Sequence, residues 1–278
     1  MSKLSDLLRV FDGAHLPSPQ KQHQLILITS TLATNSSWVL QHFVRASLTP
    51  HPTAIPGTER VQLKRPVIFV SFVHDVDFHV RCFRKAGMDL DALIAQKLFI
   101  YFDGVTRLFN SSPDVHNPSI YLQSAYKSTW LSQIQSAILQ LEVEEILPTV
   151  VFEGLDLLHA LGIMSARESL QFVHDLQEVK HSGILIASSH SNEIMLAGTS
   201  TLAVEQNTYL LSLVRRAVAV FSIRPLSTGM AEDVTGTIRI TNGGQPCERR
   251  GHVDQGEFHY FIGEGNSGGV KVFEKGHG

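Results

Sequence analysis

Short apolar runs alternate with stretches of helical periodicity over the first four-fifths of the chain. Leu25-Ile26-Leu27-Ile28 is the first run, followed by a polar turn and a helix-like stretch from Trp38 to Arg45. Val67-Ile68-Phe69-Val70 leads into a helical segment from Val76 to Lys85. Leu98 to Phe102 forms a third run. Trp130, Ile134, Ile138 and Leu141 lie on one stripe of an amphipathic helix predicted from Ser128 to Glu144. Thr149 to Phe152 precedes a helix predicted from Ser165 to Lys180, whose Ser165 and Glu168 have the spacing of a capping box. Ile184 to Ala187 precedes a helix ending at Arg215-Arg216. Runs apolar at every position are typical of strands buried on both faces, and their alternation with helices predicts a parallel sheet covered on both sides.

The pattern changes after Val218. Val218 to Ile223, Thr237 to Thr241, Glu257 to Ile262 and Val270 to Phe273 read as strands joined by turns, one of them Asn242-Gly243-Gly244. This run predicts an antiparallel extension of the sheet. No internal repeat or linker divides the chain, so one α/β domain is expected over residues 1–278. It carries an N-terminal arm (1–24) and surface loops at 49–65, which is proline-rich, and at 110–118. Within the arm, Leu4, Leu7, Leu8 and Phe11 have helical spacing among charged residues, which suits a short amphipathic helix better than a signal peptide.

Composition narrows the function. A 43% hydrophobic and 18% charged chain is ordinary for a folded globular protein, and a net charge of −3 excludes a chain that coats nucleic acid by bulk positive charge. Two distant cysteines, Cys82 and Cys247, make no disulfide framework and fit a reducing compartment. No apolar run reaches the roughly 20 residues of a membrane span. A soluble protein of the cytoplasm, with the nucleus also open, is the expectation.

The strand-loop-helix at the start invites comparison with a phosphate-binding P-loop, in which glycines, a Lys and a Ser or Thr grip phosphate and magnesium. Here the loop reads Ser30-Thr31-Leu32-Ala33-Thr34-Asn35-Ser36-Ser37. Ser30 and Asn35 stand where glycines are needed, and Ser36 where the Lys is needed; only Ser37 keeps its type. Glu153, at the end of the Thr149 strand, takes the place of a magnesium-holding Asp, with Asp156 a turn later. The loop is degenerate, and no nucleotide or other cofactor is expected for the isolated chain.

The segment Arg224-Pro225-Leu226-Ser227-Thr228-Gly229-Met230-Ala231-Glu232-Asp233-Val234-Thr235-Gly236, followed by a strand and Gly243-Gly244, resembles the family of the sixth subunit of the Elongator complex. The resemblance implies a RecA-like fold without working phosphate motifs. It implies assembly with the fourth and fifth subunits, of the same build, into a hetero-hexameric ring with two copies of each. That ring joins the remaining Elongator subunits, binds tRNA and supports wobble-uridine modification, and ATP hydrolysis by the assembled ring influences tRNA release. The chain itself is then not an enzyme. Thr228, Gly229, Asp233 and Gly236 equally suit a purely architectural turn before the hairpin, since Gly and Asp supply turn chemistry.

Other constellations are weaker. His74 and His79, five apart, would point about 140° away from each other if both lay on one helix, so no metal site is expected with Asp75, Asp77 and Cys82; helix capping suits the acids better. In RecA-like rings the segment after the Ile184 strand faces the pore. His190 to Gln206, rich in small polar residues, is a candidate mobile pore loop or an ordinary surface loop. His190, Ser191, Asn192, Arg215 and Arg216 are the candidates for tRNA contact, and Arg249-Arg250 is a second Arg pair open to the same role. A nucleotide-dependent enzyme using Ser37 and Glu153 through an unusual loop, and a stand-alone RecA-like adaptor, are the alternatives.

Overall fold

The computed structural model describes residues 24–49, 51–53, 61–106, 120–122, 127–141, 147–179, 183–192, 196–229, 231–245, 255–263 and 269–274. The elements run β1 (Gln24–Ser30), α1 (Ser37–Leu48), β2 (His51–Thr53), β3 (Val61–Leu63), β4 (Val67–Ser71), α2 (Val76–Lys85), α3 (Leu90–Ala95), β5 (Phe99–Asp103), β6 (Ile120–Tyr121), α4 (Lys127–Leu141), β7 (Thr149–Glu153), α5 (Leu157–Ala160), α6 (Ala166–Gln177), β8 (Ile184–His190), α7 (Thr201–Arg216), β9 (Ala217–Arg224), β10 (Gly236–Asn242), β11 (Gly256–Ile262) and β12 (Val270–Glu274). Residues 1–23 of the N-terminal arm, the 110–118 loop, Cys247 and Arg249-Arg250 lie outside the described residues, and residue 24 opens β1.

Ten strands form one sheet in the order β12-β11-β10-β9-β1-β8-β7-β4-β5-β6. β9 through β6 are mutually parallel, and β10 to β12 are antiparallel. The sequence pattern placed Val218 to Ile223 in the antiparallel set, but β9 pairs parallel with β1. The reason is α7, which carries the chain back along the sheet before β9 starts, as a parallel crossover requires. Part of the expected 49–65 loop is structured too: β2 and β3 make a separate two-stranded antiparallel ribbon.

Two apolar layers sandwich the sheet, and strand alternation decides which residue joins which. Ile26, Ile28, Val67, Phe69 and Val151 face α1, α2 and α3. Leu25, Leu27, Ile68, Val70 and Phe152 face the helices α4 to α7. The stripe Trp130, Ile134, Ile138 and Leu141 is fully buried in the second layer, as the spacing predicted. The Ser165–Glu168 capping box starts α6 as its sequence signature required. No helix among the described residues is long and apolar enough to cross a membrane.

The hairpin region is fixed by close approach. A Cβ on Gly236 would lie 2.5 Å from the Arg224 carbonyl oxygen, and one on Gly243 would collide with the Ala217 carbonyl. Gly243 and Gly244 thereby reach the end of α7, where Gly244 N–H donates to the Val214 carbonyl at 2.9 Å and satisfies one of the orphan acceptors of the helix C-terminus. Gly229 turns with φ +94°, whereas Gly236 lies outside the left-handed region and is a glycine for lack of space.

Gly236→Val is expected to cost about 2–3 kcal/mol from overpacking against backbone that cannot yield. A fall of several degrees in melting temperature is the check; an unchanged melt would mean that the β9–β10 register is not held by this contact.

Candidate functional site

The carboxyl ends of β1, β8, β7 and β4 meet in a cleft of about 210 Å³, lined by the 30–37 loop and by Val73, His74, Glu153, Gly154, Ser188, Ser189 and His190. Strand ends are where a parallel α/β sheet presents its ligand crevice. The register aligns the site: Ser30 pairs with His190 and Ser71 with Glu153.

Within the loop, four backbone donors are already engaged. The Thr31 N–H donates to Thr34 Oγ1 at 3.0 Å and the Leu32 N–H to Asn192 Oδ1 at 2.8 Å. The Thr34 N–H reaches the Thr31 carbonyl, and the Ser37 N–H donates to Asn35 Oδ1 at 2.7 Å. Asn35, in a glycine position, thus fills the cradle with its own side chain. Neither Ser30 nor Asn35 has the positive φ that glycine would permit. Ser36, in the Lys position, makes no capping bond and brings no charge.

The magnesium position is closed as well. Ser37 Oγ donates directly to Glu153 Oε1 at 2.6 Å, and Ser71 Oγ donates to Glu153 Oε2 at 2.8 Å. His79 Nε2 lies 2.8 Å from the same Oε2, and His74 Nδ1 lies 3.4 Å from it. Glu153 is 2% exposed and His79 1%. Burial pushes the Glu153 carboxyl up, but hydrogen bonds from His74 and His79, the charge of His79 and the Ser37 hydroxyl hold it well below the usual carboxylate range. It is therefore a buried carboxylate satisfied by four side chains.

His74 and His79 do not sit on one helix, which corrects the angular argument made from their spacing. α2 begins at Val76, with Asp75 as N-cap accepting from the Phe78 N–H at 2.8 Å. His74 precedes the cap, so its direction is set by the turn. The Ser71 hydroxyl accepts from the N–H groups of Val73 and His74, and Tyr101 Oη donates to the His74 carbonyl at 2.8 Å. The His74 ring stacks on Phe78 with centroids 3.8 Å apart. Sequence reasoning considered His74 and His79 but set them aside, and it missed Ser71; the readable signal was that Ser71 ends an apolar strand just as Glu153 does.

A second pair lies beside the first. Asp156 Oδ2 accepts from His190 Nδ1 at 2.9 Å and from the His190 N–H at 3.1 Å. The carboxylate raises the His190 pKa against the opposing effect of burial. Ser188 Oγ accepts from the Gly154 N–H at 3.0 Å, in a turn where Gly154 has φ +73° and where any Cβ would collide with Val73.

The expected pore loop is only partly a loop. β8 extends to His190, and α7 already starts at Thr201, capped by Ser200, so residues 201–206 are helical. Ser191 N–H donates to the Ser30 carbonyl. Arg215 and Arg216 end α7 at the opposite end of the strands: Ala217 follows them and pairs with Leu25 at the start of β1, whereas His190 pairs with Ser30 at its end. The candidate tRNA residues therefore fall into two separate groups. Of the motif turn, Thr228, Gly229 and Asp233 are exposed and Gly236 is buried. Thr235 ties the turn to β11 through its N–H to the Tyr260 carbonyl and its Oγ1 accepting from the Ile262 N–H.

No protein-family model matches the chain. It is 22% identical to Elongator complex protein 6 of Saccharomyces cerevisiae over 263 residues, covering 89% of each chain. It is 22% identical to the Elongator complex protein 6 homolog of Schizosaccharomyces pombe over 272 residues, 94% of this chain and 95% of that one. Among solved structures, a KaiC-like protein of Pyrococcus horikoshii superposes with a TM-score of 0.54 at 11% identity, covering 91% of this chain and 90% of that one. The fold is RecA-like.

Two outcomes follow from the site. Glu153→Ala leaves the hydroxyls and imidazoles around it without their shared acceptor, and should cost about 3–5 kcal/mol in urea unfolding. A raised His190 pKa contributes stability that is complete below its unfolded value of about 6.5 and is lost as pH rises through the higher folded value. Asp156→Asn should lower the His190 midpoint seen by NMR and abolish that part of the stability difference between acidic and alkaline pH. An unshifted midpoint would refute the coupling.

Proposed function

We propose that this chain belongs to the family of the sixth Elongator subunit and is a non-catalytic member of a hetero-hexameric RecA-like ring. In this reading it assembles with the fourth and fifth subunits, two copies of each, and the ring binds tRNA and supports wobble-uridine modification. The cytoplasm is its place of work, with nuclear residence also compatible. The uridine chemistry resides in another subunit.

One observation carries the non-catalytic part: Ser37 and Glu153, which would hold a magnesium–nucleotide between them, are instead hydrogen-bonded to each other at 2.6 Å. The engaged loop N–H groups and the missing Lys support the same reading. Similarity to the two yeast proteins over about nine-tenths of the chain supports subunit membership. Exposed apolar side chains suit a subunit that buries surface on assembly. Leu32 at the tip of the 30–37 loop is 83% exposed, and Val204 and Leu211, seven residues apart on one stripe of α7, are 54% and 56% exposed.

The test is the native mass of the complex formed on co-expression with the fourth and fifth subunits, followed by tRNA binding with and without ATP. A hexamer that binds tRNA is expected. A lone monomer or homodimer would overturn the assignment. For the isolated chain, MgATP should leave the melting temperature unchanged, because a ligand that does not bind the native state cannot stabilise it. A rise with MgATP would restore the enzyme reading.

A further inference from the structure

We infer that the closed magnesium position is a binding site for a borderline transition-metal ion, zinc-like in preference, with His74 Nδ1, His79 Nε2 and Glu153 Oε2 as ligands. The inference stands whether or not the chain belongs to a ring.

The ligand atoms are already gathered: all three lie within 4.8 Å of one another. Glu153 Oε2 lies 2.8 and 3.4 Å from the two imidazole nitrogens, which themselves lie within 4.8 Å of each other, against roughly 3.3 Å between neighbouring ligands of a tetrahedral zinc ion with bonds of about 2.0–2.1 Å. Small movements suffice. The donor set also decides which ion: magnesium demands oxygen ligands, whereas two imidazoles and a carboxylate suit zinc, iron, nickel or copper.

The surroundings hold the ligands in place, as outer contacts of a metal site must. Ser37 Oγ engages Glu153 Oε1, and Ser71 Oγ engages Oε2 on one side while its other side faces the two imidazoles. Phe78 fixes the plane of the His74 ring, and Tyr101 fixes the His74 backbone. His74 is 29% exposed at the cleft while Glu153 and His79 are buried, which leaves an entry path and a place for a fourth, solvent ligand. When an ion binds, the proton that His79 Nε2 shares with Glu153 must leave that nitrogen. The neutral, metal-bound ring then carries its one proton on Nδ1, which is buried without a hydrogen-bond partner. That arrangement weakens the site relative to a structural zinc site, so exchangeable binding is expected.

The probe is Co²⁺, added to the full-length chain after chelator treatment and then displaced by Zn²⁺. One Co²⁺ per chain is expected, with the visible ligand-field absorption of four- or five-coordination. Zn²⁺ should displace it and Mg²⁺ should not. His74→Ala removes a partly exposed ligand, so its metal-free melting temperature should stay close to that of the unmodified chain, while Co²⁺ affinity falls about ten-fold or more. His190→Ala, in the same cleft but outside the ligand set, should bind as the unmodified chain does. Absence of stoichiometric Co²⁺ binding, or undiminished binding by His74→Ala, overturns the inference, as does a loss confined to His190→Ala.

Discussion

The arrangement depends on one buried carboxylate. Glu153 ends the central strand β7 with almost no access to water, where an unpartnered charge would be untenable. Four side chains from three directions answer that requirement: Ser37 from the start of α1, Ser71 from the end of β4, His79 from α2 and His74 from the turn before it. Meeting the need of one oxygen pair thereby ties together the loop, two strands and a helix. In a nucleotide-binding relative of the fold, a cation and phosphates would stand in the middle of this arrangement. Here the side chains contact each other directly.

This explains why the site residues form a coherent set despite lacking every phosphate-gripping feature. The Asn35 carbonyl and the Thr34 hydroxyl engage the loop backbone from inside, and Asn192 does so from the segment after β8. A phosphate group would have to displace several hydrogen bonds with no Lys to attract it. The result is a well-satisfied polar cluster.

Much of the fold was legible because the decisive signals are local. Fully apolar runs such as Val67 to Val70 mark strands buried on both faces, and the stripe through Trp130 and Leu141 marks the covered face of a helix. The Ser165–Glu168 spacing marks a helix start. The degenerate loop and Glu153 were likewise legible by position. What escaped notice depends on partners distant in sequence or on a single turn. β9 reads like its antiparallel successors, and only the length of α7 makes it parallel. The convergence of His74 and His79 depends on where α2 begins, since a boundary error of two residues swings an imidazole to another side of the molecule. Arg215 and Arg216 looked like neighbours of His190 in function, yet a full strand length separates them, because a helix returns the chain to the opposite end of the strands.

The position of β1 has a consequence for biosynthesis. Its neighbours in the sheet are β8 and β9, so every ladder bond of the first described strand is made with residues from Ile184 onward. At ribosomal rates of about 5–20 residues per second, the apolar Leu25 to Ile28 segment waits roughly ten to thirty seconds before a mate emerges. β4 and β5 can pair earlier, which makes them the natural nucleus on which the later strands close. During that interval the nascent chain carries an unsatisfied hydrophobic strand, a substrate for chaperones and a hazard for aggregation. Yield in cells should therefore depend on how quickly the last third of the polypeptide is delivered.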